Sequence, residues 1–279
     1  MVAMIEVTQL NIYPIKSTAG ISLDTAIIEE RGFQHDRRWM LVDTDGRFMT
    51  QREHPHMALI HVGLMKNHLL VNALGMEPLV VPFDLAVRNT IPVVVWDDTV
   101  QASFVSRDTD EWFSGFLKFP CHLVQMTDTS ERPVEQAFNP GKKQVSFADA
   151  FPFLLIGEES LADLNKRLPV HLPMNRFRPN IVVRGAGPFA EDSWMQIRIG
   201  DFLFHVAKPS ARCKITTVDQ DTAETGVEPL RTLATFRSHD NKVHFGQNMM
   251  AESGGEIKVG DRVEIINRKE SNIEYSSPL

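Results

Sequence analysis

The chain has 279 residues, 43% hydrophobic and 23% charged, the proportions of an ordinary globular protein with material for one large core or two modest ones. A formal net charge of −7 argues against a general nucleic-acid or anionic-membrane binder, since both need a basic face. Only two cysteines occur, Cys121 and Cys213, which excludes a disulfide framework, an all-cysteine iron–sulfur cluster and a four-cysteine zinc site, and fits a reducing, cytoplasmic setting.

In chain order, Met1 to Leu10 lack a basic segment followed by a long apolar run, so no secretory leader is expected. Apolar runs such as Val93–Trp96 and Phe151–Ile156 fall far short of the ~20 residues of a membrane helix. Alternation from Ile5 predicts a strand running to Pro14, then a Lys16-Ser17 loop and alternation again from Ile21 to Glu29. Asp45-Gly46 predicts a hairpin between Met40–Val42 and Arg47–Thr50, and further strands are expected at His56–Lys66, His68–Val71, Leu79–Pro82 and Ile91–Trp96. The first ~100 residues therefore read as a barrel or sandwich. A helix is expected from near Asp108, with Trp112, Phe113, Phe116 and Leu117 on one stripe and Pro120 beyond its end. Thr127 to Ala148, with Arg132-Pro133 and Asn139-Pro140-Gly141, reads as a long loop of the functional or mobile kind.

The second half predicts a buried strand at Phe153–Ile156, a helix from Glu159 to Leu168 and a strand at Ile181–Val183. Gly200-Asp201 and Gly260-Asp261 each predict a hairpin, and Pro229 opens a short helix with Leu230, Leu233 and Phe236 on one side. Arg268 to Leu279 reads as a polar tail. The fold class expected is mainly β with peripheral helices.

Chemistry concentrates around Cys213, which lies between Arg212 and Lys214. Neighbouring cations stabilise a thiolate, the form that attacks electrophiles and binds soft metals. The alternative is a small buried hydrophobe whose charged neighbours face solvent. Lys16-Ser17, Arg37-Arg38 and Arg178 with Asn180 carry similar cargo beside predicted strands. Brought together by loops at a barrel rim, they would call for an anionic ligand such as a phosphate. His54, His56, His61 and His68 show no zinc spacing, and Gly185-Ala186-Gly187 is too short for a dinucleotide fingerprint.

The runs Ile12-Tyr13-Pro14-Ile15-Lys16-Ser17, Asp36-Arg37-Arg38-Trp39, Phe177-Arg178-Pro179-Asn180, Arg212–Asp219 and Phe245-Gly246-Gln247 together resemble the MOSC-domain proteins with an N-terminal β-barrel partner domain. The amidoxime-reducing-component subgroup is the most similar. The resemblance implies an N-terminal β-barrel-like domain over residues 1–120, a MOSC domain over 121–268 and a tail over 269–279. It implies a molybdenum cofactor with Cys213 as the metal ligand. Lys16, Ser17, Arg37, Arg178, Asn180 and Arg212 match positions that hold the pterin and its phosphate. Gln247 matches a loop near the cofactor, and Asp219 is carried over as a second catalytic candidate. Ala211 departs from the polar residue of many relatives, and Asn248 from the tyrosine of vertebrate ones.

The activity implied is reduction of small N-hydroxylated compounds by oxygen-atom abstraction in a molybdopterin enzyme. Some bacterial relatives carry a four-cysteine ferredoxin-like domain. With two cysteines, the expectation here is no iron–sulfur cluster in this chain and electrons from a separate ferredoxin- or flavoprotein-type reductase. No nucleic-acid or membrane partner is expected. A rival reading is a sulfur carrier with a Cys213 persulfide, because some MOSC domains are fused to a pyridoxal-phosphate sulfurase. A third is a cofactor-binding or storage module without turnover.

Overall fold

The computed structural model describes residues 4–85, 89–138, 143–269 and 275. Seven strands close into a barrel: β1 (Ile5–Ile12), β2 (Phe153–Gly157), β3 (Ile181–Arg184), β4 (Trp194–Ile199), β5 (Phe202–Arg212), β6 (Lys242–Ala251) and β7 (Arg262–Arg268). Their order is β2-β3-β1-β7-β4-β5-β6, and the β6–β2 pairing shuts the ring. All neighbours are antiparallel except β2 and β3. That parallel pair needs a crossover, and the helix Glu158–Arg167 lies in it.

Alternation fills the barrel with Phe153, Leu155, Ile197, Phe204 and Met249, none more than 1% exposed. Burying each such side chain contributes roughly 1.5–3 kcal/mol. The opposite strand faces are covered by a second apolar cluster that includes Ile156, Val182, Phe177 and Leu233. Helices α2 (Glu158–Arg167) and α3 (Leu230–Ala234) pack there through Leu164 and Leu233.

Most of the first half lies outside the barrel. Trp39–Val42, His122–Met126, Asp98–Phe104 and Thr90–Val95 form a four-stranded antiparallel sheet. His61–Leu64, His68–Asn72 and Leu79–Pro82 form a three-stranded one. Helix α1 (Arg107–Leu117) packs Trp112 and Phe113 onto this part, with Ser106 capping its N-terminus by accepting a bond from Thr109 N at 3.2 Å. Two pairings interleave the halves. Strand β1, from the first half, is a barrel stave, and Gly255–Lys258, from the second, pairs with Thr25–Glu29. Among the described residues, His122–Met126, which the expected boundary places in the second domain, pairs with strands of the first.

Two expected elements differ. The His56–Lys66 strand begins as a 3₁₀ turn at Pro55–Leu59, because proline at the first helical position presets a helical φ, and only His61–Leu64 is extended. Gly260-Asp261 does not join a hairpin. Gly255–Lys258 and β7 lie in different sheets, and the turn is tied to β1 by Gly260 N to Val7 O and Val7 N to Asp261 O. Asn139-Pro140-Gly141 and most of the expected tail lie outside the described residues. Among the described residues no helix is long and apolar enough to cross a membrane.

Closure of the barrel depends on Gly246, whose φ is +80°. A Cβ there would sit 2.6 Å from Ile156 Cγ1 and 2.8 Å from Leu155 O, on the strand that shuts the ring. Gly246→Ala is therefore expected to lose about 2–4 kcal/mol in urea unfolding, from left-handed backbone plus overpacking. Gly187→Ala, also at positive φ but in open space, should lose only about 1–2 kcal/mol. Equal losses for the two variants would contradict the closure argument.

Candidate functional site

A cavity of about 310 Å³ opens against the outer face of the barrel where β2, β6 and β5 meet. Leu154 and Asn248 line it, whereas their neighbours Phe153 and Met249 point into the barrel. The convergence expected at a barrel rim thus occurs on the barrel's side, walled by loops from both halves of the chain. Seven of the sequence candidates line it: Lys16, Ser17, Arg37, Arg178, Asn180, Arg212 and Cys213.

Each arrives from a strand end. Lys16 and Ser17 follow β1; Arg178 and Asn180 precede β3; Arg212 ends β5, and Cys213 starts the 3₁₀ turn Lys214–Thr217. Ser17, Arg37 and Arg178 all have left-handed backbone, with φ of 69°, 50° and 55°. That conformation costs about 1–2 kcal/mol for each non-glycine residue, so three in one wall mark a place where geometry overrides local preference.

The wall is held by buried hydrogen bonds. Asp36 accepts from Tyr13 N at 2.8 Å and from Arg37 Nη1 at 2.6 Å. Two guanidinium groups lie against the Tyr13 ring, Arg37 at 4.5 Å and Arg178 at 4.2 Å, and burial pushes its hydroxyl up to about 12. Asn180 is tied into the wall: its Oδ1 accepts from Leu154 N and Arg37, and its Nδ2 donates to Asn11 O. Arg178 donates to Thr18 O at 2.7 Å, and Arg212 to Phe177 O at 2.6 Å.

Arg178 Nη2 and Arg212 Nε are buried and unpaired. Among the described residues neither arginine has a carboxylate within ion-pair distance, and burial pushes each down to about 10. A buried donor without a partner is costly, and an anion in the cavity would relieve both.

Two residues that sequence reading missed complete the site. Arg52 Nε donates to Cys213 Sγ at 3.3 Å, so the cation on the sulfur comes from another loop; Lys214 is exposed. Asp149 joins Lys16 at 2.5 Å and Arg52 at 3.1 Å. At this half-exposed position desolvation acts to raise the Asp149 carboxyl, but the charges of Lys16 and Arg52 and the Lys16 hydrogen bond win and hold it far below the usual carboxylate range. The only sequence signal for Asp149 was its position at the end of the long Thr127–Ala148 loop. Arg52 had none beyond following the Asp45-Gly46 turn.

Asp219 and Gln247 do not line the cavity. Asp219 folds back on its own loop, accepting from Asp221 N and Thr222 N at 3.0 Å, and stands 3.7 Å from Arg176. Gln247 is buried and donates to Asp192, which pairs with Arg237. Ala211 and Asn248 both line the wall, and Asn248 Nδ2 donates to Pro209 O at 3.4 Å. Among the described residues no three His, Cys, Asp or Glu side chains converge as a metal cage, so Cys213 is offered as a single soft donor.

Two family descriptions match the chain: the MOSC N-terminal beta barrel domain over residues 4–120 and the MOSC domain over residues 142–264. The chain is 35% identical to mitochondrial amidoxime-reducing component 1 of Mus musculus, over 94% of this chain and 82% of that protein. The human component 1 is 33% identical, over 94% and 83%. Molybdenum cofactor sulfurase of Solanum lycopersicum is 31% identical over 92% of this chain but only 35% of its own length.

The unpaired arginine donors predict anion binding that calorimetry with inorganic phosphate can measure on the purified protein with its cavity empty. Arg178→Ala should weaken it by roughly 10- to 100-fold, the value of one charge-assisted hydrogen bond. Arg231→Ala, on an exposed face, should leave it unchanged. Equal affinity in wild type and Arg178→Ala would contradict the assignment.

Proposed function

Because this chain belongs to the MOSC-domain family, with the MOSC N-terminal β-barrel domain and the amidoxime-reducing components as relatives, we propose that it is a molybdenum-cofactor-dependent reductase of N-hydroxylated compounds. The observation that carries the reading is one cavity holding both a half-buried thiol and buried guanidinium donors without partners. This set fits the cofactor. A single thiolate is a poor metal site alone, so the metal must bring further donors of its own, and a pterin dithiolene with a phosphate does so.

The protein's share of the chemistry follows from the residues. Cys213 is the sulfur ligand, and Arg52, donating to it, stabilises negative charge on that sulfur. Arg178 and Arg212 hold the phosphate through their free N–H groups, and Arg37, fixed by Asp36, adds positive field. Phe151 and Leu154 give the cavity an apolar side that excludes water from part of the wall. When bound, the cofactor supplies the two-electron redox chemistry. The N–O bond of the substrate breaks, two electrons come from a separate electron-transfer protein, and two protons complete an amine or amidine and water.

A second reading is favoured by the sulfurase likeness: a sulfur carrier in which Cys213 holds a persulfide. Metal analysis separates the two. Protein from a molybdenum-replete host is expected to carry stoichiometric molybdenum and to reduce an amidoxime with a reduced ferredoxin or flavoprotein. Cys213→Ser should lose that reduction. Metal-free wild type with labile sulfane sulfur would favour the carrier, and near-normal reduction by Cys213→Ser would contradict the ligand role.

A further inference from the structure

The cavity has two chemically different walls. Arg178 and Arg212 present unpaired N–H groups and suit an anion. Lys16 does not: its Nζ donates to Phe147 O at 2.6 Å and to Asp149 Oδ1 at 2.5 Å. An ammonium has three N–H donors, so the third is left to the Phe48 ring, 5.5 Å away at its centroid, or to the cavity that Lys16 lines. The Lys16 side chain is only 5% exposed, while Asp149 is 50% exposed. The pair therefore joins the cavity interior to bulk water, and the other oxygen of Asp149 holds the arginine that touches Cys213.

We propose that the Lys16 ammonium is the proton donor of the reduction, with Asp149 keeping it charged and in contact with solvent. This rests on the reductase reading. As the N–O bond breaks, two electrons arrive from the electron-transfer protein. Lys16 gives its proton to the oxygen released from nitrogen, which ends as water. The nitrogen takes the second proton from solvent, and Lys16 is reprotonated from water at the exposed edge of Asp149.

The surrounding charges set the acidity of this donor. Burial pushes the Lys16 amine down to about 8, against the charge and hydrogen bond of Asp149, with Arg132 and Arg37 adding repulsion. Arg132 is paired with Asp98, Arg37 with Asp36, and Arg52 faces Lys16 across Asp149. An acid that gives up its proton near neutrality is matched to the task. Lys16 is charged below about pH 8 and loses its proton as pH rises through that value. Because Asp149 favours the charged form, removing its charge moves the midpoint down. Arginine at position 16 keeps the charge but cannot deprotonate in this range.

Two measurements test the inference. In cofactor-free protein labelled with ¹⁵N-lysine, one Nζ resonance should titrate near pH 8, disappear in Lys16→Arg and move down by about one unit or more in Asp149→Asn. An unchanged spectrum elsewhere shows that the variants are folded. In loaded enzyme, kcat for an aryl amidoxime should fall along an alkaline limb that moves down with Asp149→Asn, and should drop at least about tenfold in Lys16→Arg. A reductase whose Lys16→Arg variant keeps both kcat and the alkaline limb overturns this inference alone. A loaded protein that reduces no N-hydroxylated compound overturns the reductase reading and this inference together.

Discussion

Everything at the site depends on positive charge gathered under a barrel wall in a chain that is acidic overall. Lys16, Arg37, Arg52, Arg178 and Arg212 converge, yet the carboxylates that pair with them are Asp36 and Asp149. Burying unpaired guanidinium groups is unfavourable, and so is the left-handed backbone that points three of these loops inward. Such a wall makes physical sense when a ligand supplies the missing negative charge. The surplus sits on Arg178 and Arg212, and of the cations paired with a carboxylate it is Arg52 that touches the sulfur.

The fold explains how residues so distant in sequence reach one wall. Strand β1 leaves the first half of the chain to become a barrel stave beside β3, which delivers Lys16 and Ser17 next to Arg178 and Asn180. The parallel β2–β3 pair sets Leu154 N against the Asn180 carboxamide. Arg52 reaches Cys213 from the first half and is fixed by Asp149 and the Trp96 ring, 4.6 Å from its guanidinium carbon. Neither half of the chain contains the site by itself.

Much of this was legible in the sequence, and the gaps have physical causes. Alternation revealed the strands, the Trp112–Phe116 stripe revealed α1, and Gly200-Asp201 revealed the β4–β5 hairpin. Gly260-Asp261 misled because turn chemistry specifies a reversal and not the partner of the strand that follows. The membership of β1 in the barrel is a pairing across more than a hundred residues, which no local period encodes. The cationic loops announced themselves by composition beside strands. Arg52 and Asp149 did not, since a single arginine and a single aspartate in loops look like solvated charges until a cavity joins them. Asp219 and Gln247 lay close in sequence to true wall residues but are committed elsewhere, to an Asx turn and to Asp192.

The central claim is that the Cys213 sulfur is a ligand to molybdenum within this cationic cavity. X-ray absorption at the molybdenum edge, on purified wild-type and Cys213→Ser protein loaded in the same host, addresses it most directly. The account predicts one fewer sulfur neighbour at the metal in the variant, replaced by a lighter atom or lost with the metal. The same sulfur count in both proteins, with molybdenum retained, would contradict it.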